Sequence, residues 1–216
     1  MTRIVDNPDD DCYGRLRAAI VSGELQPNER LVELELSERL GLGRAAIRTA
    51  LVRLEADGLV ERERNRGAKV RMVGQREASE ILEARAVLEG LAARHAALHA
   101  TDDDIARLRE ILGRMRELLD AGDLVGASDE QAILHRTIGE MSGHGTALRL
   151  ISGLRSQVVR YQYRTILVPG RPGESFEEHS AIVEAIAAGD PDAAEDAMRR
   201  HLANVAGTLP AEVRGA

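Results

Sequence analysis

Aromatic residues are scarce in this chain of 216 residues, which has no tryptophan, one phenylalanine and three tyrosines. Proteins that bind single-stranded nucleic acid stack the bases on aromatic side chains, so this composition gives no support to that class. The interior must instead be built from leucine, isoleucine, valine and alanine.

Cysteine and long apolar segments are also scarce. The single cysteine, Cys12, cannot form an intrachain disulfide, which suits a reducing compartment. No apolar run approaches the roughly 20 residues that a membrane-spanning helix needs. The opening residues, MTRIVDNPDDDCYG, are acidic and polar, unlike a secretory signal. The sequence therefore predicts a cytoplasmic protein with no membrane partner.

Charge is unevenly distributed along the chain, whose net charge is −7. Residues 1–73 carry thirteen cations and thirteen anions, so residues 74–216 hold the whole negative excess. Residues 39–71 hold nine cations against four anions. Because phosphate contacts depend on the local potential, this basic segment is compatible with DNA as a partner, whereas the acidic remainder is not expected to form a DNA-binding surface.

The first 73 residues have the element order of a winged helix-turn-helix domain. Helical patterns cover residues 12–22, 32–40 and 43–55. The connection Gly41-Leu42-Gly43 separates the second helix from the third, which Asp57-Gly58 ends. Two strand-like runs then flank Asn65-Arg66-Gly67, where glycine supplies the positive φ that a hairpin turn requires.

Residues 74–216 predict a second, all-helical domain. Helical patterns cover residues 76–99, 102–120, 124–141, 146–167, 176–188 and 191–207. Thr101 with Asp104 and Ser175 with Glu178 match the capping box, and Asp190 precedes a first-turn proline. The predicted fold is therefore mainly α, a winged helix-turn-helix at residues 1–73 followed by an antiparallel six-helix bundle.

The third helix presents two arginines one turn apart. Ile47 and Leu51 belong to its buried stripe, whereas Arg44 and Arg48 lie beside that stripe and are separated by the small pair Ala45-Ala46. In a helix-turn-helix, the second helix of the motif enters the major groove, where arginines bind guanine edges or phosphates. The alternative is that both cations decorate a solvated face.

The predicted hairpin adds a second group of cations. Arg66 at its tip is best placed to reach the neighbouring minor groove. The cations of the hairpin are Arg62, Arg64, Arg66, Lys69 and Arg71.

The segment ERLVELELSERLGLGRAAIRTALVRLEADGLVERERNRGAKV resembles the DNA-binding domain of the GntR family of bacterial transcription regulators. The resemblance implies operator contacts by Arg44, Arg48, Arg66 and Gly67. The bare helix face adds Ala45 to the candidate DNA-binding residues, and the basic hairpin adds Lys69. The chain departs from the family pattern at Gly43, where Ser or Thr is usual, and at Thr49, where Glu is usual.

Three of the six histidines fall on three different predicted helices, at His135, His179 and His201. Imidazoles from separate helices can converge inside a bundle to bind a metal. Spacing alone leaves open that each is an isolated histidine. The other three lie near helix ends and are interpreted as isolated: His95, His99 and His144.

The stretches ILEARAVLEGLAARHAA and EEHSAIVEAIAAGDPDAAEDAMRRHL resemble the opening and closing helices of the FCD effector-binding domain of the FadR subfamily. The resemblance implies that His135, His179 and His201, with an aspartate one turn before the first, bind zinc or nickel. The metal then helps to bind a small carboxylate effector.

The aspartate position holds Gln131, which offers a neutral amide oxygen. Two alternatives follow: a metal site made of histidines alone, or a metal-free pocket in which the histidines bind the effector directly. Arg85 matches an arginine that the family places near the pocket. Its alternative partner is Glu89, one helical turn away.

The leading hypothesis is a transcription regulator that acts as a repressor. It binds a palindromic operator as a homodimer and responds to a small carboxylate. The first alternative is a regulator for which the metal itself is the signal. A metalloenzyme is the second, but the sequence has no HExxH motif and no nucleophile beside a base.

Overall fold

The protein divides into two compact units, residues 1–73 and residues 74–216. The structure is a computed structural model that describes residues 8–63 and 67–209, apart from the side chains of residues 8–11, 63 and 159–164.

The first unit combines short helices with a small sheet, as a winged helix-turn-helix requires. Its elements are α1 (Pro8–Ser22), β1 (Arg30–Leu31), α2 (Glu33–Leu40), α3 (Arg44–Ala56), β2 (Val60–Glu63) and β3 (Gly67–Val70). The three strands pair antiparallel in the order β1-β3-β2. The predicted helix-turn-helix and hairpin are confirmed.

The turn between α2 and α3 depends on glycine. Gly41 caps α2 in the left-handed region with φ of 67°, and its N–H donates to the Ser37 carbonyl. A residue with a Cβ adopts that conformation at a cost, whereas glycine does not. Three residues later, at Arg44, the chain enters α3, whose apolar stripe faces inward.

The core of this unit lies between α1, α3 and the sheet. Leu16 comes from α1, Leu51 and Leu54 from α3, and Val60 and Val70 from the strands, and all five are buried. Burying such side chains stabilises the fold by about 1.5–3 kcal/mol each. The predicted stripe of α3 is therefore the face that fixes this helix to the rest of the unit.

Two boundaries of the first unit differ from the sequence prediction. Strand β1 was not predicted, because a two-residue strand has no recognisable period and depends on a distant partner. Leu31 pairs with Ala68 of β3. Helix α1 begins at Pro8 rather than at residue 12, since proline is tolerated in the first turn.

The second unit is a bundle of helices, as predicted. Its described elements are α4 (Gln75–His99), α5 (Asp102–Asp120), α6 (Leu124–Met141), α7 (Gly145–Thr165), α8 (Arg171–Ala187) and α9 (Pro191–Gly207). Leucine, isoleucine, alanine and methionine fill its core, so the expectation of an interior without aromatics is confirmed for the largest buried side chains. Within the described ranges, every helix falls short of the length and apolarity that crossing a bilayer demands.

Two of the predicted helix starts in this unit are confirmed. The Thr101 hydroxyl accepts from the Asp104 N–H while the Asp104 carboxylate accepts from the Thr101 N–H, which completes the capping box. Asp190 accepts from the Ala193 N–H at 3.0 Å ahead of the proline that opens α9.

The prediction for the start of α8 is wrong. The helix begins at Arg171 rather than at residue 176, so Ser175 lies inside it and does not form a capping box with Glu178. The sequence VPGRPG, residues 168–173, has the composition of a helix break, but Pro172 occupies the first turn of α8, where its missing N–H would have no partner in any case. This earlier start adds Arg171 to the helix and makes its side chain available to Glu178.

Candidate DNA-binding surface and metal centre

Helix α3 presents a bare, basic face to solvent. Arg44, Ala45 and Arg48 are exposed on it, opposite the buried stripe. Small side chains beside long cations let the helix backbone come close to a surface that the cations bind. The geometry matches the sequence expectation of two arginines one turn apart.

Sequence reasoning missed the partner of Arg48. Its Nε and Nη2 atoms donate to the two oxygens of Glu33 at 3.1 and 2.9 Å. The hydrogen bond from Arg48 is the largest influence on Glu33 and holds the pKa of that carboxyl below its usual value. The two residues are fifteen positions apart on different helices, so no local pattern pairs them.

The wing residues are described in part. Gly67 opens β3 with φ of 86°, and Lys69 lies opposite Glu61 on β2, with Nζ 3.1 Å from its carboxylate. Arg66, the predicted tip of the hairpin, lies outside the described residues. The wing therefore carries at least one cation that is already paired across the hairpin.

The three predicted histidines of the helical unit converge. His135 on α6, His179 on α8 and His201 on α9 are 5%, 1% and 0% exposed, and their ring centroids lie 4.3–5.2 Å apart. One ring nitrogen from each lies within 4.8 Å of the others. We refer to these residues as the buried histidine triple.

Two carboxylates, the buried one of Glu89 and the half-buried one of Glu178, hold two of the three rings in place. The His135 Nδ1 lies 2.6 Å from the Glu89 carboxylate, and the His201 Nδ1 lies 2.7 Å from that of Glu178. A carboxylate accepts the Nδ1–H, so the lone pair remains on Nε2, which is the arrangement that outer partners impose on metal-binding histidines. These two glutamates were not predicted, since they lie on other helices.

Each carboxylate is in turn held by an arginine. Arg85 Nε donates to Glu89 at 2.7 Å, so its predicted alternative partner is its partner in the structure. Arg171 donates to both oxygens of Glu178 through Nη1 and Nη2, at 2.9 and 2.6 Å. The forked pair of Arg171 with Glu178 fixes the plane of that carboxylate.

These contacts explain why both carboxylates are ionised. Burial alone raises the pKa of Glu178, but hydrogen bonds from His201, Arg171 and Asn204 outweigh it and lower the pKa to about 2. Burial likewise raises the pKa of Glu89, but the charge of Arg85 and the hydrogen bond from His135 reverse the shift and hold the pKa well below its ordinary value. Both carboxylates are ionised at neutral pH.

Burial acts on the histidines in the opposite direction. It lowers the pKa of His135 to about 4, against the opposing charge of Glu89, and lowers that of His179 and His201 as well. All three rings are therefore neutral near pH 7. Neutral imidazole is the form that binds a metal.

The ring nitrogens fit a divalent cation. The Nε2 atoms of His135 and His179 are 3.1 Å apart, close to the roughly 3.3 Å that separates two tetrahedral ligands each about 2.0–2.1 Å from zinc. Among the described side chains, His201 Nε2 and His179 Nδ1 are buried and have no hydrogen-bond partner. Three neutral nitrogens with lone pairs form a donor set for zinc or nickel.

A pocket opens beside the triple. Its volume is about 440 Å³ including its open mouth. It is lined by Arg85, Gln131, His135, Arg155 and His201, with apolar residues opposite. Gln131, at the position predicted to face the metal, does border this pocket together with His135.

Arg155 is a pocket residue that sequence reasoning missed. Its Nη2 donates to the Ala132 carbonyl at 3.2 Å. Burial lowers its pKa to about 10, which leaves the guanidinium charged at neutral pH. Arg155 and Arg85 thus bring two guanidinium groups to one pocket, of which Arg85 is paired with Glu89.

The remaining histidines do not form a second centre. His95 lies beside His99 and His144, with ring centroids 6.1 and 5.5 Å away. Among the residues that the structure describes, the buried histidine triple is the one group of histidine, cysteine or acidic side chains whose ligand atoms meet.

Comparison with known proteins decides the family. The profile of the bacterial regulatory proteins of the GntR family matches residues 8–70, and that of the FCD domain matches residues 80–204. The chain belongs to the GntR family of transcription regulators. Its FCD domain places it with the FadR subfamily, as the sequence resemblance predicted.

The relatives of this GntR-family chain are regulators. It is 30% identical to the "Putative L-lactate dehydrogenase operon regulatory protein" of Escherichia coli K12, over 93% of this chain and 85% of that protein. It is also 30% identical to the "Probable D-xylose utilization operon transcriptional repressor" of Paenarthrobacter nicotinovorans, over 89% and 83%. The prediction of a regulator rather than an enzyme is confirmed, and the metalloenzyme alternative is not supported.

Solved structures share the fold. That of E. coli McbR/YncC superposes with a TM-score of 0.79, covering 94% of this chain and 97% of that one at 22% identity. A regulator from Rhodococcus sp. RHA1 superposes with a TM-score of 0.74 at 23% identity. At these identities the likeness shows the common fold.

Proposed function

We propose that this GntR-family regulator binds a palindromic operator as a homodimer and that a small carboxylate, bound beside a metal in its helical unit, changes its affinity for DNA. The observation that carries the proposal is the buried histidine triple, held by two ionised carboxylates and open to a pocket with Arg85 and Arg155. A purely structural core has no need of this arrangement of buried charge.

The DNA-binding half of the proposal uses the exposed face of α3. Arg44 and Arg48 bind guanine edges or phosphates, and Ala45 allows α3 to enter the major groove. The wing contributes Arg66, Gly67 and Lys69 at the adjacent backbone or minor groove. On DNA binding, Lys69 leaves its ion pair with Glu61 and contacts a phosphate.

A homodimer follows from the affinity that an operator requires. One winged helix makes few base contacts, and linking two of them turns the second binding event into an intramolecular one. Two copies related by a two-fold axis read inverted half-sites about one duplex turn apart.

The metal in this proposal is zinc or nickel, bound by His135, His179 and His201. The donor set is neutral because Gln131 supplies an amide oxygen where a carboxylate is expected, so Glu89 and Glu178 provide the compensating charge from behind the ligands. When bound, the metal supplies a Lewis-acidic position for a carboxylate oxygen. The same anion is attracted by Arg155 and by Arg85, both of which line the pocket.

The first carboxylate to test is L-lactate, because one relative is described as regulating an L-lactate dehydrogenase operon. A ligand of this kind acts only through different affinities for the arrangements of the dimer that can and cannot bind DNA. A second candidate function is a metal-responsive regulator, which the same triple favours. Release of DNA on metal addition alone, with no organic acid present, identifies that function.

Native mass spectrometry of the freshly purified full chain tests the proposal in one spectrum. We expect a dimer that carries one divalent ion per chain and, in part of the population, a small acid. A monomer, or a dimer that takes up no zinc or nickel after reconstitution, contradicts it.

Arg48→Ala tests the DNA half separately. We expect sequence-specific affinity to fall, with base preference lost at the pair that Arg48 contacts. The melting temperature and the dimer stay unchanged, because the exposed guanidinium stabilises the fold little. The measurement is a mobility shift at fixed salt. Unchanged affinity removes Arg48 from the binding surface.

A further inference from the structure

The ion pair between Glu33 and Arg48 joins the two helices of the helix-turn-helix on the exposed face that is proposed above to bind DNA. Glu33 stands in the first turn of α2, and Arg48 in the second turn of α3. The side chain of Arg48 is 62% exposed and that of Glu33 is 28% exposed. The arginine thus points outward while its partner is more enclosed.

The pair uses one edge of the guanidinium. Glu33 accepts from Nε and from Nη2 of Arg48, so both carboxylate oxygens are engaged. A guanidinium has five N–H groups, and this side-on contact leaves Nη1 and the outer N–H of Nη2. Those are the donors of the end-on fork that binds O6 and N7 of guanine.

Glu33 also carries a charge that phosphates repel. It lies in an open depression that Arg30, Arg44 and Arg62 line together with it. An acidic side chain among these cations weakens attraction to any DNA backbone, whatever the base sequence. A residue that only strengthened DNA binding would not be acidic here.

We propose that Glu33 is a positioning residue that sets base specificity: it orients the Arg48 guanidinium toward guanine and opposes binding to DNA that offers no guanine there. The inference rests on the proposed function. Because Glu33 holds the Arg48 side chain in place before DNA binds, less rotamer freedom is lost on binding. Both actions raise the ratio of specific to non-specific affinity.

The experiment compares base preferences selected from a randomised duplex library by the full-length protein. The variants are wild type, Glu33→Ala, Glu33→Gln, Arg48→Ala and the double variant of Glu33→Ala with Arg48→Ala. Glu24→Ala is the matched control, because Glu24 pairs with Arg39 in another exposed ion pair of the same unit. The duplex that wild type enriches and a scrambled duplex are then the probes for affinity and its salt dependence.

We expect Glu33→Ala to lower the ratio of specific to non-specific affinity about tenfold or more, with preference lost at the same base pair as in Arg48→Ala. Affinity for the scrambled duplex stays equal or rises. Glu33→Gln, which keeps one acceptor, loses less. In the Arg48→Ala background, Glu33→Ala lowers specificity no further, because its target is gone.

The inference is overturned if Glu33→Ala keeps the wild-type base preference, or if it weakens specific and scrambled duplexes equally, as general damage would. An equal loss of specificity in the Arg48→Ala background also overturns it. If wild type enriches no sequence, the proposed function and this inference both fail, whereas failure of the variants alone leaves the proposed function standing. Melting curves identify a variant that has lost its fold, and Glu33→Gln then decides the outcome.

Discussion

The helical unit contains two groups of three histidines in very different environments. In the buried histidine triple the rings are enclosed, and glutamates hold His135 and His201. In the other group, His95, His99 and His144 are half-buried or exposed. The ring separations differ little, at 4.3–5.2 Å in the first group and 5.5–6.1 Å in the second.

The difference lies in what holds the second nitrogen of each ring. In the exposed group, backbone atoms take that role: His99 Nδ1 lies 2.8 Å from the His95 carbonyl, and His144 Nδ1 accepts from the Ala147 N–H. An imidazole whose Nδ1 accepts carries its proton on Nε2, so His144 cannot offer that atom to a metal. Proximity of rings alone therefore does not bring ligand nitrogens together, whereas the ligand nitrogens of the buried histidine triple lie within 4.8 Å of one another.

The largest expected effect comes from removing an anchor of the buried triple. Glu89→Ala leaves Arg85 and His135 without their shared partner in the interior. Breaking a buried charged contact in this way costs about 3–5 kcal/mol. Urea unfolding of the full chain measures the loss, and Glu83→Ala, an exposed position of the same helix, is the control. If Glu89→Ala lowers the free energy of unfolding by less than about 1 kcal/mol, the contacts of Glu89 with Arg85 and His135 do not anchor the structure.

Acid should destabilise the buried triple next most strongly. The pKa of His135 in the fold, about 4, lies below its ordinary value of 6.5, so the unfolded chain binds more protons between these values. The contribution of neutral His135 to the free energy of unfolding is complete above pH 6.5. It falls by about 3 kcal/mol as the pH drops toward 4. The carboxylate Glu178, with a pKa of about 2, loses its contribution only at lower pH.

Hydrogen exchange in a chelator measures this acid effect at pH 7 and pH 5. Protection of α6, α8 and α9 should fall, whereas α3 serves as an internal reference because residues 1–73 contain no histidine. Equal loss in α3, or unchanged protection of α6, counts against neutral buried histidines.

Zinc affinity separates the two groups directly. His179→Ala should lower the affinity by more than the roughly 10–100-fold that loss of an outer hydrogen-bond partner costs. His99→Ala should leave it unchanged. Competition with a chelator gives both values, and similar losses in the two variants would place the metal elsewhere.

Local patterns predicted most of the fold. Turn glycines, the Thr101 and Asp190 caps and the apolar periods located the helix-turn-helix and the bundle, because these signals depend on neighbours within a few residues. Strand β1 escaped detection since its pairing partner is 37 residues further along the chain. The start of α8 was missed because a first-turn proline resembles a helix breaker.

The candidate site was predicted in its ligands but not in their supports. Family resemblance named the three histidines, and the structure brings them together. Glu89 and Glu178 lie 46 and 23 residues from the histidines they hold, and Arg48 finds Glu33 on another helix. No spacing rule connects residues so far apart, so packing alone reveals these partners.

The central claim is that two copies of the arginine-bearing α3 read DNA together. Selection from a randomised duplex library by the full-length protein tests it most directly. We expect an enriched inverted repeat whose half-site centres lie roughly 10 base pairs apart. Enrichment of no sequence, or of a single site without symmetry, would contradict it.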